Sequence, residues 1–183
     1  MQFLLRALCV FVVAFTIGAG PVSATDAENT LYMELEWGRV VIEMRPDLAP
    51  KHVARIKQLA RQKFYDGVVF HRVIRGFMAQ TGDPRGDGTG GSGIKLQAEF
   101  NQEQHLRGVV SMARAGSPDS ADSQFFIMLG DAPHLDGQYT AWGKVTSGMD
   151  HVDRIKKGLT RENGSVNDPD KIVTLRVAAD VKE

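Results

Sequence analysis

The stretch FHRVIRGFMAQTGD, residues 70–83, decides how this chain is read. Phe70, Val73, Ile74, Phe77 and Met78 belong in a protein interior, yet His71, Arg72, Arg75 and Gln80 are threaded among them. Strand-favouring side chains run from Val68 to Gln80, with a break at Gly76. In an extended segment from Val69 to Ile74, Val69, His71 and Val73 share one face, while Phe70, Arg72 and Ile74 share the other. Arg72 is therefore expected beside two large apolar residues. Taken alone, this is a core strand whose polar residues face water, with an arginine whose stem lies along apolar surface. No nucleophile or acid–base pair is evident in it.

Upstream, Leu31, Met33 and Leu35 alternate with Tyr32, Glu34 and Glu36, the period of a half-buried strand. Trp37-Gly38 makes a turn, and Val40, Ile42 and Met44 resume the alternation, so a hairpin is predicted. A helix follows Pro50, with Val53, Ile56, Leu59, Ala60 and Phe64 on one stripe. Tyr65-Asp66-Gly67 is expected to close it, Gly67 serving as a left-handed cap.

Downstream, GDPRGDGTGGSG (82–93) is a glycine-dense loop, and IKLQAEF (94–100) alternates like a strand. VVSMA (109–113) and QFFIML (124–129) read as buried strands around a polar connection. A turn at Asp136-Gly137 precedes a strand from Tyr139 to Val145. Ser147 to Asp150 has the pattern of a capping box, opening a short helix with Met149, Val152 and Ile155 on one face. A last alternating strand spans Lys171 to Ala178. There is no internal repeat or linker. Many short strands with two helices set far apart favour a closed β-barrel or sandwich capped by helices over a βαβ array. Closure would also remove exposed strand edges.

The first residues read as an address rather than as structure. MQFLLRALCVFVVAFTIGAGPVSA carries one cation, Arg6, then an apolar run to about Ile17, and ends in Val22-Ser23-Ala24. That is a secretory signal with cleavage expected after Ala24, and the run is shorter than the ~20 residues of a membrane span. Residues 25–183 then form one domain, periplasmic or secreted, with no stable membrane insertion. Cys9 is the only cysteine, so the mature chain can make no disulfide. With 22 basic and 22 acidic residues there is no one-sided charge to select nucleic acid.

Three familiar chemistries fit poorly. Gly86, Gly88 and Gly91 spell G-x-G-x-x-G, but a strand-like stretch follows instead of the helix that a dinucleotide site needs. His52, His71, His105, His134 and His151 are scattered, with no metal-ligand spacing, so no metal and no cofactor is expected. No G-x-S-x-G elbow is present, although a Ser-His-Asp triad need not be sequential.

Taken in order and spacing, FHRVIRGFMAQTGD, GTGG (88–91), SMARAG (111–116), SQFFIML (123–129) and HLDGQYTAWGKV (134–145) resemble the cyclophilins, peptidyl-prolyl cis–trans isomerases. The likeness runs from about Leu31 to the C-terminus. It implies a closed eight-stranded antiparallel barrel capped by two α-helices, acting on proline-containing polypeptides. By position, the family's catalytic arginine falls on Arg72, and its substrate-bonding glutamine on Gln80. The proline pocket falls on Phe77, Met78, Phe126 and Leu135. Gly88, Ala113, Arg114, Ala115 and Gln124 would line the neighbouring peptide groove. The best-known cytosolic members carry tryptophan at His134, lysine at Gln138, histidine at Tyr139 and asparagine at Arg114. His134 and Tyr139 still belong to the expected substrate site. The tryptophan contributes to cyclosporin binding in the family, so weak cyclosporin affinity is expected here. A monomer is expected, since no heptad or extra apolar stripe is present. Two other readings stay open on sequence: a proline-binding module without turnover, and a hydrolase with an unrecognised triad.

Overall fold

A computed structural model describes residues 24–182; the expected leader lies outside the described residues but for Ala24. The alternation in residues 30–44 becomes the hairpin β1 (Thr30–Leu35) and β2 (Gly38–Met44), with Leu31, Met33, Val40, Ile42 and Met44 wholly buried. The other strands are β3 (Arg72–Ile74), β4 (Met78–Thr81), β5 (Val109–Met112), β6 (Phe125–Met128), β7 (Ala141–Ser147) and β8 (Thr174–Val177). All eight form one antiparallel sheet, in the order β3-β4-β6-β5-β7-β2-β1-β8.

The expected closed barrel is corrected: β3 and β8 are the two edges of the sheet and do not pair, so the sheet is an open half-barrel. Irregular chain spans the gap. Gly67 N–H donates to Ile172 O at 2.8 Å, Phe70 N–H to Asp170 O at 2.8 Å and Val73 N–H to Gly164 O at 2.8 Å. Residues 163–170 cannot extend β8 backwards, because Asn163 and Asp168 have φ of 54° and 51° and Pro169 lacks a donor. The segment that fills the gap thus touches the edge strand carrying Arg72.

Among the described residues there are three α-helices, one more than expected: α1 (Ala24–Glu28), α2 (Pro50–Arg61) and α3 (Met149–Arg154). α2 buries Val53, Ile56, Leu59 and Ala60 of the predicted stripe, with His52 and Arg55 beside them, and ends before Phe64. The free N–H groups of Lys51 and His52 in its first turn donate to the Glu99 carboxylate at 3.1 and 3.0 Å. It ends at Arg61, with Gln62 as its cap, so left-handed Gly67 shapes the following loop instead. The capping box does not form either. Ser147 ends β7, paired with Val41, and Gly148 caps α3 with φ 85° and no side-chain cap bond. Residues 94–100 make only one bridge, Leu96 to Ala121.

The apolar strand runs are explained by burial on both faces. In β6, Phe125 and Ile127 enter the main core with Leu31, Ile42 and Trp142. Phe126 and Met128 enter a second cluster with Met78, Leu135 and Ala141. The second cluster lies on the opposite side of β6, and the candidate site is built on it. Phe70 corrects the face assignment above. Only residues 72–74 are strand, so Phe70 goes into the main core with Val73 instead of sharing Arg72's face.

Candidate active site

Strand register sets a row of side chains across four strands: Arg72 pairs with Gln80, Gln80 with Phe126, and Phe126 with Ser111. Directly opposed residues in antiparallel strands have Cβ atoms ~4.5–5.5 Å apart, so these side chains are neighbours by construction. Arg72 Nη1 donates to Gln80 Oε1 at 3.1 Å. Gln80 Nε2 donates to Gln124 Oε1 at 2.9 Å, and Gln124 Nε2 donates to the carbonyls of Gly88 and Gly90 at 3.0 and 2.8 Å. The glycine loop is in turn gripped by buried Asp83, which accepts from the N–H groups of Arg85, Asp87 and Gly88 at 2.8, 3.2 and 2.6 Å.

Arg72 is held from its other side by Asn163, which sequence reasoning missed. Arg72 Nε donates to Asn163 O and Nη2 to Asn163 Oδ1, both at 3.0 Å. The contact joins residues 91 apart in the chain, and the only local sign of it is Asn163-Gly164, a common turn dipeptide. Desolvation pushes the Arg72 pKa down, but an arginine remains charged. Among the described residues its hydrogen-bond partners are all neutral and no carboxylate pairs with it, so the charge is fixed in direction and left uncompensated there.

Beside it is a hollow of about 100 Å³, with Phe77, Met78, Phe126 and Leu135 as its apolar wall. Gln80, Ala113, Arg114 and Tyr139 complete the lining. Drug-sized ligands occupy sites of ~300–1,000 Å³, so this space suits a ring rather than a cofactor. A second hollow of about 190 Å³ adjoins it, sharing Gln80, Ala113 and Arg114 and adding Gly88, Ala115 and Gln124. Sequence reasoning missed Thr89, Gly90, Lys95, Ser120 and Asp122 in that lining. His134 lines neither hollow. It is exposed, its ring centroid 5.7 Å from that of Phe77. Among the described residues no three His, Cys, Asp or Glu side chains gather as a metal site.

A Ser-His-Asp triad is also present. His105 Nε2 lies 3.1 Å from Ser111 Oγ, and Nδ1 lies 3.0 Å from Asp136 Oδ1. Ser111 is fully buried and His105 1% exposed, with the His105 ring stacked on Phe126. A nucleophile must reach a scissile carbonyl, and this hydroxyl cannot. The triad satisfies buried polar groups beneath the hollow wall.

Fold and site together define a β-protein that can grip a small apolar ring beside a fixed cation, with no reachable nucleophile in the triad. The family model described as "Cyclophilin type peptidyl-prolyl cis-trans isomerase/CLD" matches residues 30–177. The chain belongs to this family and is an enzyme of that class. A "Probable peptidyl-prolyl cis-trans isomerase" of Brucella suis is 54% identical, over 100% of both chains. Among solved structures, a cyclophilin of Hirschia baltica superposes with TM-score 0.76 at 28% identity, covering 86% of this chain and 76% of its own. A cyclophilin-type isomerase of Cryptosporidium parvum, solved in the presence of the dipeptide Ala-Pro, gives 0.73 at 27%, covering 81% and 98%.

Proposed function

We propose that Arg72 is the catalytic residue and that the 100 Å³ hollow takes the proline ring of an X-Pro segment. The observation that carries this is the uncompensated Arg72 cation, aimed by Gln80 and Asn163 at the rim of an apolar hollow. Rotation about a peptide C–N bond meets a barrier of ~18–20 kcal/mol from partial double bonding. At the twisted transition state the nitrogen loses conjugation and regains a basic lone pair. A guanidinium directed there binds the twisted amide better than either planar isomer, and only such differential binding speeds the step. Phe77, Met78, Phe126 and Leu135 exclude water that would compete for the lone pair. A thousandfold acceleration requires about 4 kcal/mol, within reach of one desolvated charged hydrogen bond plus orientation. The C. parvum relative, solved with Ala-Pro present, supports a proline-containing substrate. Gln80 places Arg72 and bonds the substrate, and residues 113–115, Gly88, Gln124, His134 and Tyr139 meet the flanking peptide.

We also propose that residues 1–24 are a cleaved signal and that the enzyme serves exported proteins. The leader's composition supports this. The sequence carries no heptad or extra apolar stripe, which supports action as a monomer. His134 supports weak cyclosporin binding. Exchange NMR on an Ala-Pro peptide tests the central claim. Wild type should accelerate exchange and Arg72→Ala should not, although both bind peptide. Binding without exchange in the wild type would make the hollow a recognition site alone.

A further inference from the structure

Arg114 lines both hollows and stands where they meet. Its Nε donates to Gln138 O at 3.1 Å, and Nη1 to Ala115 O and Gly116 O at 3.0 and 3.3 Å. The guanidinium carbon lies 4.7 Å from the centroid of the Tyr139 ring. These acceptors are neutral carbonyls. Among the described residues no carboxylate comes within ion-pair distance, and Nη2 has no protein acceptor. A planar fork held in this way has little rotamer freedom left to lose on binding. The other charges of the second hollow cancel. Lys95 Nζ lies 3.5 Å from Asp122 Oδ2, and the buried Asp122 carboxylate also accepts from Ser92 and Gly93 N–H groups at 2.6 and 3.1 Å. The net charge facing a ligand there is one positive, and it belongs to Arg114.

We propose that the second hollow selects proline-containing segments with an aspartate or glutamate within two residues of the proline, bound through Arg114 Nη2. This rests on the Arg72 hollow being the proline site. An extended peptide advances ~3.3 Å per residue, and the hollows share Gln80, Ala113 and Arg114, so a near neighbour of the proline reaches the second. Nε and Nη1 are already engaged, so the carboxylate is held through one nitrogen rather than by a bidentate fork. The preference is therefore modest, roughly two- to fivefold, the size of an exposed ion pair.

The test is exchange NMR on Ala-Ala-Pro-Ala-Ala and on versions with Glu, Gln or Lys at each position flanking the proline. In wild type at low salt, Glu should exceed Gln in kcat/KM at one position, and Gln should exceed Lys. The order should collapse in about 0.5 M NaCl, where charges are screened, and in Arg114→Gln, while Arg114→Lys keeps part of it. Ratios are taken within each variant, so a general change in activity cancels. Equal turnover of Glu, Gln and Lys peptides at every position would overturn the proposal, as would an order that survives Arg114→Gln. No exchange of the all-alanine peptide in wild type would instead overturn the proline-site reading.

Discussion

On one side of Phe126, Arg72, Gln80 and Gln124 form a polar chain that ends at an open hollow. On the other, Ser111, His105 and Asp136 form one that is sealed beneath the same ring. Residue type alone would favour the sealed chain as the catalyst, because it has a hydroxyl, a base and an orienting carboxylate. Access rules it out. Isomerisation breaks no bond, so what the reaction uses is a reachable, desolvated charge, and only the open chain offers one.

Phe126 divides the two regions, so its removal should give the largest effect. Phe126 is 5% exposed, and Phe126→Ala should lower stability by about 3–5 kcal/mol, read as a drop in the urea midpoint, and should abolish proline-peptide binding. Retained binding would mean that the ring is held elsewhere. The sharper contrast comes from cutting each chain separately. Arg72→Ala should lower kcat/KM roughly 100- to 1,000-fold, as removal of one transition-state donor does, while leaving Tm close to wild type. Ser111→Ala should leave exchange running but lose about 1–3 kcal/mol, since His105 Nε2 is then buried without a partner. Peptide hydrolysis by wild type that Ser111→Ala abolishes would reverse the assignment.

The hairpin, the α2 stripe and the buried strands were legible because each follows from local period. The closing of the barrel was not, since it depends on whether β3 meets β8 across the sheet, and left-handed Asn163 and Asp168 with Pro169 interrupt the chain where it would. At the site, Arg72 was visible as an arginine among apolar residues, and the hollow wall came through the family resemblance. Its support was invisible. Asn163 meets Arg72 only after the chain returns across the open edge, and no sequence period connects the two. The triad was illegible for the same reason, because Ser111 and Asp136 meet His105 only through folding.

Asn163 provides a smaller, more selective cut. Asn163→Gly permits the left-handed backbone and keeps the carbonyl that accepts from Arg72 Nε, while removing the side chain whose Oδ1 accepts from Nη2. Loss of that one hydrogen bond should lower kcat roughly two- to tenfold, with KM little changed. A lowered Tm with kcat intact would show that Asn163 supports the edge of the sheet and does not aim Arg72.

The smallest effect concerns His71, which is 7% exposed, adjoins Arg72 in the chain and packs against Gly88. Burial holds its pKa below the usual 6.5, outweighing the pull of Asp83. A histidine depressed in the folded state binds fewer protons than its unfolded counterpart between the two pKa values. Its contribution to stability is therefore complete above about 6.5 and declines as pH falls toward the folded pKa. Urea midpoints measured from pH 7.5 to 5 should fall more steeply for wild type than for His71→Gln. Equal slopes would mean that His71 titrates alike in both states. A steeper loss in exchange than in stability over the same range would place protonated His71 in the polar chain, acting against the neighbouring guanidinium.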